Sequence, residues 1–476
     1  MRKYPLPLKG SLNLLPCLSS AFVFKSKPMS WNALKLIGFL SVLFCNSITK
    51  AQTNTTEDAS YIHRAIKKVT DVMVHDIYSP PVASRTYAYI TIAGYETIIH
   101  ANNDYISLTG QLHGLTSVPQ PEENKQYNYT LGAVEAILTT AKSFVISEDT
   151  IEAFRQSILQ EFENNGVSSE AFNNSVAYGE KIAAHILAWA ANDNYKKIRS
   201  MPQYAVTDDD GSWKPTPPAY IKAIEPNWNK IRTWILDSAE QFKPPPATTF
   251  SSNKESDFYK NAMDVYNVGL HLTREQKAIA NFWDCNPFKM NVRGHVMFAT
   301  KKISPGGHWI NITHVACEKQ HADAVQSLEA YTCVAITIAD AFISCWDEKY
   351  RSRVVRPETF INQFIDNDWT PLLQTPPFPE YTSGHSVVSA ACAFMLSKMF
   401  GNDFAFTDST GFEFDLPPRS FTSFKQAAQE AAISRFYGGI HYMPSINNGF
   451  DEGEKIAAFI SSKLKTRKSN DQMNAS

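Results

Sequence analysis

The stretch TSGHSVVSAACAFMLSKMF, residues 382–400, constrains the fold more than any other. After its polar opening it is a long run of apolar and small residues, which reads as a helix meant for burial. Such a helix needs other helices around it, and the chain supplies them. Ala65, Val69, Val72 and Met73 recur at helical spacing, as do Ala133, Ala136, Ile137 and Ala141, then Tyr178, Ile182, Ile186 and Trp189. The pattern predicts helix throughout 57–195, and again over 257–283, 315–345, 385–400, 424–435 and 453–464. Only short stretches such as 412–416 read as extended. The expectation is an all-α protein of two packed helical bundles with few short strands.

Two interruptions organise the chain. The segment between Ser200 and Pro226 contains DDDGSWKPTPP and is predicted to be irregular. KPPPATTFSSNKESD, residues 243–257, is the better boundary because it is proline-rich and then polar. The predicted organisation is an N-terminal bundle over 52–245, a catalytic C-terminal bundle over 246–465, and a polar tail over 466–476.

Residues 1–51 are set apart from the fold. From Met29, an alternative start, the chain shows a lysine, an apolar core from Leu36 to Phe44 and a polar stretch ending at Ala51. That is the layout of an export signal cleaved before Gln52. Its apolar core is shorter than the ~20 residues that span a bilayer, and no later segment reads as a membrane span. Export to the periplasm, the cell surface or the medium is expected. Cys285, Cys317, Cys333, Cys345 and Cys392 remain beyond the signal, an odd number that leaves a thiol free. The net charge of −2 gives no footprint for nucleic acid.

Why a buried helix should open on Ser383, Gly384, His385 and Ser386 is a chemical question, since one hydroxyl suffices for a cap. A helix N-terminus also attracts anions, because its first amides are unpaired and its dipole is positive there. Cations to complete such a site occur in two further clusters. WDEKYRSRVVRPE holds Lys349 and Arg356, which share a face if the helix continues. SRFYGGIHYMP holds Arg435, a Gly438-Gly439 break and His441. Taken singly, each cluster also reads as a solvated helix end or an ordinary cap.

Together the three clusters resemble the superfamily of type 2 phosphatidic acid phosphatases, bacterial acid phosphatases and vanadium haloperoxidases. Its pattern is Lys, six residues, Arg-Pro; then Pro-Ser-Gly-His; then Ser-Arg, five residues, His, three residues, Asp. Here these are Lys349 to Arg356-Pro357, Thr382-Ser383-Gly384-His385, and Ser434-Arg435 to His441. Thr382 replaces a proline. Ser445 stands where the family aspartate would accept a proton from His441, so weaker support for that imidazole is expected. The resemblance implies that Lys349, Arg356, Ser383, Gly384 and Arg435 bind an oxyanion. His441 would bond its central atom, and His385 would act as acid or base.

The same pocket suits two chemistries. In a phosphatase, His441 would form a phosphohistidine and His385 would protonate the leaving group. In a haloperoxidase, vanadate is the cofactor, with His441 as vanadium ligand and Lys349 polarising a bound oxygen. Hydrogen peroxide and a halide are then the substrates, with a small organic acceptor as a further candidate. Trp346 and Phe378 resemble the aromatic lining of haloperoxidase pockets, and PPFPEYTSGHS is similar to the motif of exported bacterial iodoperoxidases. The peroxidase is therefore the preferred reading, with iodide as the halide and bromide next. An exported phosphatase or a lapsed oxyanion binder is the alternative. His308, His314 and His321 form no recognisable metal set, and His308 is expected to be a supporting or loop residue.

Overall fold

The computed structural model describes residues 56–293 and 296–468, with only the backbone described over 291–299. The expected export signal lies outside the described residues. The first half of the chain folds into α1 (Thr56–His75), α2 (Pro80–Ile98), α3 (Tyr129–Lys142), α4 (Glu148–Asn164), α5 (Ser169–Ala190) and the short α6 (Tyr195–Ile198). The second half holds α7 (Asp257–Leu270), α8 (Arg274–Phe282), α9 (Pro305–Lys319), α10 (Ala324–Ser352), α11 (Pro357–Phe364), α12 (Gly384–Phe400), α13 (Phe424–Tyr437) and α14 (Met443–Lys463). Two small antiparallel hairpins complete it: β1 (Met290–Arg293) with β2 (Val296–Ala299), and β3 (Phe406–Asp408) with β4 (Arg419–Phe421). The all-α expectation holds.

Several boundaries differ from the sequence reading, each for a local reason. Residues 102–128 form a long irregular connection rather than helix. The segment 257–283 is two helices, because Thr273 and Gln276 form a capping box that starts α8 afresh. Asp323 and Gln326 do the same for α10, so the predicted 315–345 helix is the end of α9 followed by α10. Residues 410–414 form a 3-10 turn, and the strands lie on either side of it. Helix α14 starts at Met443, well before residue 453.

That last difference is instructive. Gly449 and Gly453 mark where α14 crosses α12. A Cβ on Gly453 would lie 2.1 Å from the Val387 carbonyl oxygen, and one on Gly449 would lie 3.2 Å from the Ser383 oxygen. Only glycine lets the two backbones approach so closely.

Helix α10 is the axle of the molecule. It packs along α2 on one side and α12 on the other, and Thr332 Oγ1 donates to the Thr91 carbonyl across the first contact at 3.1 Å. It is also long and apolar enough to cross a membrane by length and composition, with a mean hydropathy of 1.4. Its apolar window is wholly buried by protein, as a core helix is. One apolar core extends from Tyr61 to Leu464, across the proline-rich stretch at 243–257. The start of the expected tail is docked: Thr466 and Arg467 both bind Glu329, at 2.6 and 2.5 Å.

Candidate active site

The last turn of α10 carries Lys349 inward. The helix does not continue to Arg356, because it stops at Ser352 with Arg353 in the left-handed region at φ 52°. The turn that follows places Arg356 as the residue before Pro357, at the start of α11. Lys349 and Arg356 therefore meet through a bend, not along one helix face. Both converge on Phe378: Lys349 Nζ lies 5.2 Å and the Arg356 guanidinium carbon 5.1 Å from its ring centre. Trp346 tilts against the same ring at 5.0 Å.

Arg435 comes from the last turn of α13, and His441 from the connection between α13 and α14. Gly439 takes φ 76° there, a conformation that favours glycine, and this reverses the chain so that His441 faces Arg356. Arg435 Nη2 donates to the Trp283 carbonyl at 2.6 Å, and its Nε donates to Ser434 Oγ at 2.9 Å. At the mouth of α12, Ser383 Oγ accepts from Ser386 N at 3.3 Å as the N-cap.

One cavity gathers most of these elements. Trp346, Phe378, Gly384, His385, Arg435 and His441 line it; Lys349, Arg356 and Ser383 do not, but Lys349 and Arg356 pack on the lining ring of Phe378 and Arg356 also reaches His441. A methyl group at Gly384 would meet only Trp346 at 3.6 Å and Cys345 at 3.9 Å, which are ordinary contacts. Protein packing does not demand glycine at this position; it keeps the cavity floor open.

The polar network decides the state of His441. Its Nδ1 lies 2.8 Å from Glu380 Oε1, and its Nε2 lies 3.0 Å from Arg356 Nη1. A guanidinium can only donate, so Nε2 accepts from Arg356, while burial raises the facing Glu380 carboxyl to about 7 against the pull of Arg356 and Lys349. The proton is thereby assigned to Nδ1, and Nε2 keeps its lone pair. Burial first, then Arg356, Lys349 and Arg435, hold the imidazole well below its usual pKa, so it is neutral. His385 is likewise pushed well below its usual value, by burial and then Arg435 and His308. Its Nε2 is buried without a partner, as is Arg356 Nη2.

Glu380 was not singled out in the sequence, and it overturns the expectation of weak support for His441. Ser445 does stand near, at 3.3 Å from Nδ1. The carboxylate, however, arrives from 61 positions upstream and is also fixed by Tyr442 N at 3.0 Å. Thr382 has a partner of its own, since its hydroxyl donates to the buried Glu452 at 2.8 Å, and burial raises that carboxyl to about 7. Lys349 differs from its expected posture. Its three donors go to the carbonyls of Pro379, Glu380 and Thr382, at 3.0, 3.0 and 2.5 Å. It braces the loop before α12 as well as charging the site.

Residues 329–469 match the family model described as the VCPO second helical-bundle domain. The chain superposes on the crystal structure of a bacterial vanadium-dependent iodoperoxidase at 48% identity with a TM-score of 0.82, covering 88% of this chain and 99% of that one. The chain belongs to the vanadium-dependent haloperoxidases. Holo and apo crystal structures of a bacterial vanadium-dependent chloroperoxidase share the haloperoxidase fold at 14% identity, each with a TM-score of 0.61. They cover 82% and 81% of this chain, and 94% and 95% of their own. No curated protein matches the chain.

The family implies vanadate, and the donor set fits it. Two buried polar atoms, Arg356 Nη2 and His385 Nε2, lack partners beside the same cavity. Unsatisfied buried donors and acceptors are costly; the oxygens of a tetrahedral oxyanion would accept from Arg356 Nη2, and a protonated oxygen on it would donate to His385 Nε2. Burial lowers all three cations: Lys349, Arg435, and Arg356 to about 10. Each would be stabilised by an anion held among them.

Proposed function

We propose that this protein oxidises halide, iodide foremost and bromide next, with hydrogen peroxide to hypohalous acid, using vanadate held by His441. The observation that carries the reading is the state of His441. Glu380 accepts a hydrogen bond from the protonated Nδ1, so Nε2 of the neutral ring presents its lone pair beside Arg356. A metal-ligating histidine is oriented in this way, by a carboxylate on its other nitrogen.

Vanadium(V) supplies a Lewis-acid centre when bound. The chain's own residues do the rest. Arg356, Arg435 and the amides at the mouth of α12 hold the anion, and Lys349, packed on the Phe378 ring, adds charge. Neutral His385, with its free Nε2, accepts a proton from the incoming peroxide. Trp346 and Phe378 close one side of the cavity with apolar rings, which exclude water and leave a polarisable surface for halide. We further propose that the protein is exported, on the strength of residues 29–51, and that a small organic acceptor can consume the product.

The test uses protein purified free of phosphate. Orthovanadate is added, and both peroxide-dependent iodide oxidation and p-nitrophenyl phosphate hydrolysis are measured. Vanadate should switch on the first activity. Hydrolysis that vanadate inhibits, without iodide oxidation, would identify a phosphatase instead. Vanadate binding with neither activity would identify a lapsed enzyme.

A further inference from the structure

Cys285 forms part of the wall of the active-site cavity and of a smaller neighbouring one. Its sulfur lies 3.4 Å from His308 Nδ1, and His308 Nε2 lies 2.7 Å from Asp408 Oδ2. The imidazole stacks on Trp283 at 4.5 Å, and Asp408 is fixed in turn by Thr410 N at 2.9 Å. Sulfur, imidazole and carboxylate thus stand in line, although they come from the segment after α8, from α9 and from β3. The three are 3%, 1% and 0% exposed, so the array is shut off from bulk solvent. Burial opposes protonation of His308, but Asp408 and Cys285 beside it raise the imidazole to about 10.

This order of groups activates a thiol: a base takes its proton and a third group orients the base. The other described cysteines have no such arrangement. Burial pushes Cys317 and Cys345 up to about 12, and raises Cys333 and Cys392 as well. They are apolar packing, whereas Cys285 faces the space into which peroxide must pass.

We propose that Cys285 is a peroxide-reactive thiol whose oxidation to sulfenic acid limits the enzyme's turnover; the turnover clause rests on the haloperoxidase reading. His308 takes the thiol proton, and the sulfur attacks one oxygen of hydrogen peroxide. An S–O bond forms as the O–O bond breaks. Sulfur gives up two electrons, the departing oxygen gains them, and it leaves as water with the proton from His308. Thiol and peroxide become sulfenic acid and water. The cavity encloses only about 30 Å³, room for one or two waters, so an added oxygen on its wall obstructs the site. Sulfenic acid is reversible by thiol, which makes this a brake and not terminal damage.

The first experiment needs neither vanadate nor halide. Full-length protein is treated with dilute hydrogen peroxide and dimedone, and adducts are located by peptide mass spectrometry. Cys285 should be labelled well ahead of the other cysteines, and Asp408→Asn or His308→Gln should slow its labelling about 100-fold, the scale of a lost general base. Asp408→Asn keeps the shape of the buried pair if His308→Gln does not fold. Equal labelling of all cysteines, or none at Cys285, overturns the assignment. In the second arm, vanadate-loaded enzyme is pre-treated with peroxide and assayed with iodide. Wild type should lose activity and recover it with dithiothreitol, while Cys285→Ser should retain its own starting activity. Equal losses in the two proteins overturn the limiting role. Labelling at Cys285 in a protein that never oxidises iodide would instead leave the thiol assignment standing and remove the haloperoxidase reading.

Discussion

Replacing Glu380 with glutamine tests the assignment of His441 most directly. The substitution keeps shape and keeps an oxygen for Tyr442 N at 3.0 Å, but removes the charge that faces His441 Nδ1 at 2.8 Å. A hydrogen bond to a charged partner contributes ~1.5–3 kcal/mol and a neutral one ~0.5–1.5 kcal/mol. The expected loss is therefore about 1.4 kcal/mol, or about tenfold in orthovanadate affinity. A second effect opposes it. Without the carboxylate, Lys349 and Arg356 attract an anion more strongly, and that attraction does not pass through His441. A double-mutant cycle separates the two. In calorimetric titrations of phosphate-free protein, Glu380→Gln should weaken vanadate binding about tenfold in the wild-type background. In a His441→Ala background it should leave binding unchanged or tighten it. Equal weakening in both backgrounds would mean that Glu380 acts through the fold or through Lys349, and the reasoning about Nε2 would fail.

Four further outcomes are expected. His385→Ala should retain vanadate within about threefold and lose at least ~100-fold in iodide turnover, as befits a lost proton acceptor, measured by steady-state iodide oxidation beside a binding titration. Thr382→Val should destabilise the protein by ~1–3 kcal/mol in urea unfolding, because one oxygen of Glu452 loses its donor. Gly453→Ala should cost at least ~3 kcal/mol by the same assay, since its Cβ would lie 2.1 Å from the Val387 carbonyl oxygen with backbone on both sides. His63, held at about 3 by burial and by His314, binds a proton in the unfolded chain before it does in the folded one. Stability is therefore lost as pH falls below 6.5, at up to ~1.4 kcal/mol per pH unit for this group, and His63→Phe should show a correspondingly shallower acid slope in pH-dependent urea unfolding.

What the sequence made legible divides along a physical line. Lys349, Arg356, Ser383, Gly384, His385, Arg435 and His441 were readable because each occurs in a short contiguous motif whose internal spacing survives folding. Helices with an unbroken apolar stripe were readable for the same reason. Glu380 was not, although it lies in the same FPEYTSGHS stretch. Nothing local says that a carboxylate before a helix cap will reach an imidazole 61 positions on. Cys285, His308 and Asp408 are likewise joined only by the packing of three separate segments. The early part of α14 was not read as helix, although Gly449 within it and Gly453 are what let α14 press onto α12.

That crossing explains how the motifs become one site. Ser383 N donates to Ser445 O at 3.2 Å, so the start of α14 is hydrogen-bonded to the cap of α12. The carbonyls before that cap hold Lys349, and Glu380 from the same loop holds His441. Arg356 then ties His441 back to Phe378 through its carbonyl at 2.9 Å. Lys349 and Arg356 are thus secured by the backbone of neighbouring motifs, and Arg435 by the Trp283 carbonyl after α8, so none depends on an anion for its position. Ser445 belongs to this arrangement. Its hydroxyl lies 3.3 Å from His441 Nδ1 and 3.4 Å from the Glu380 carbonyl, so it closes the polar ring that Glu380 and His441 form.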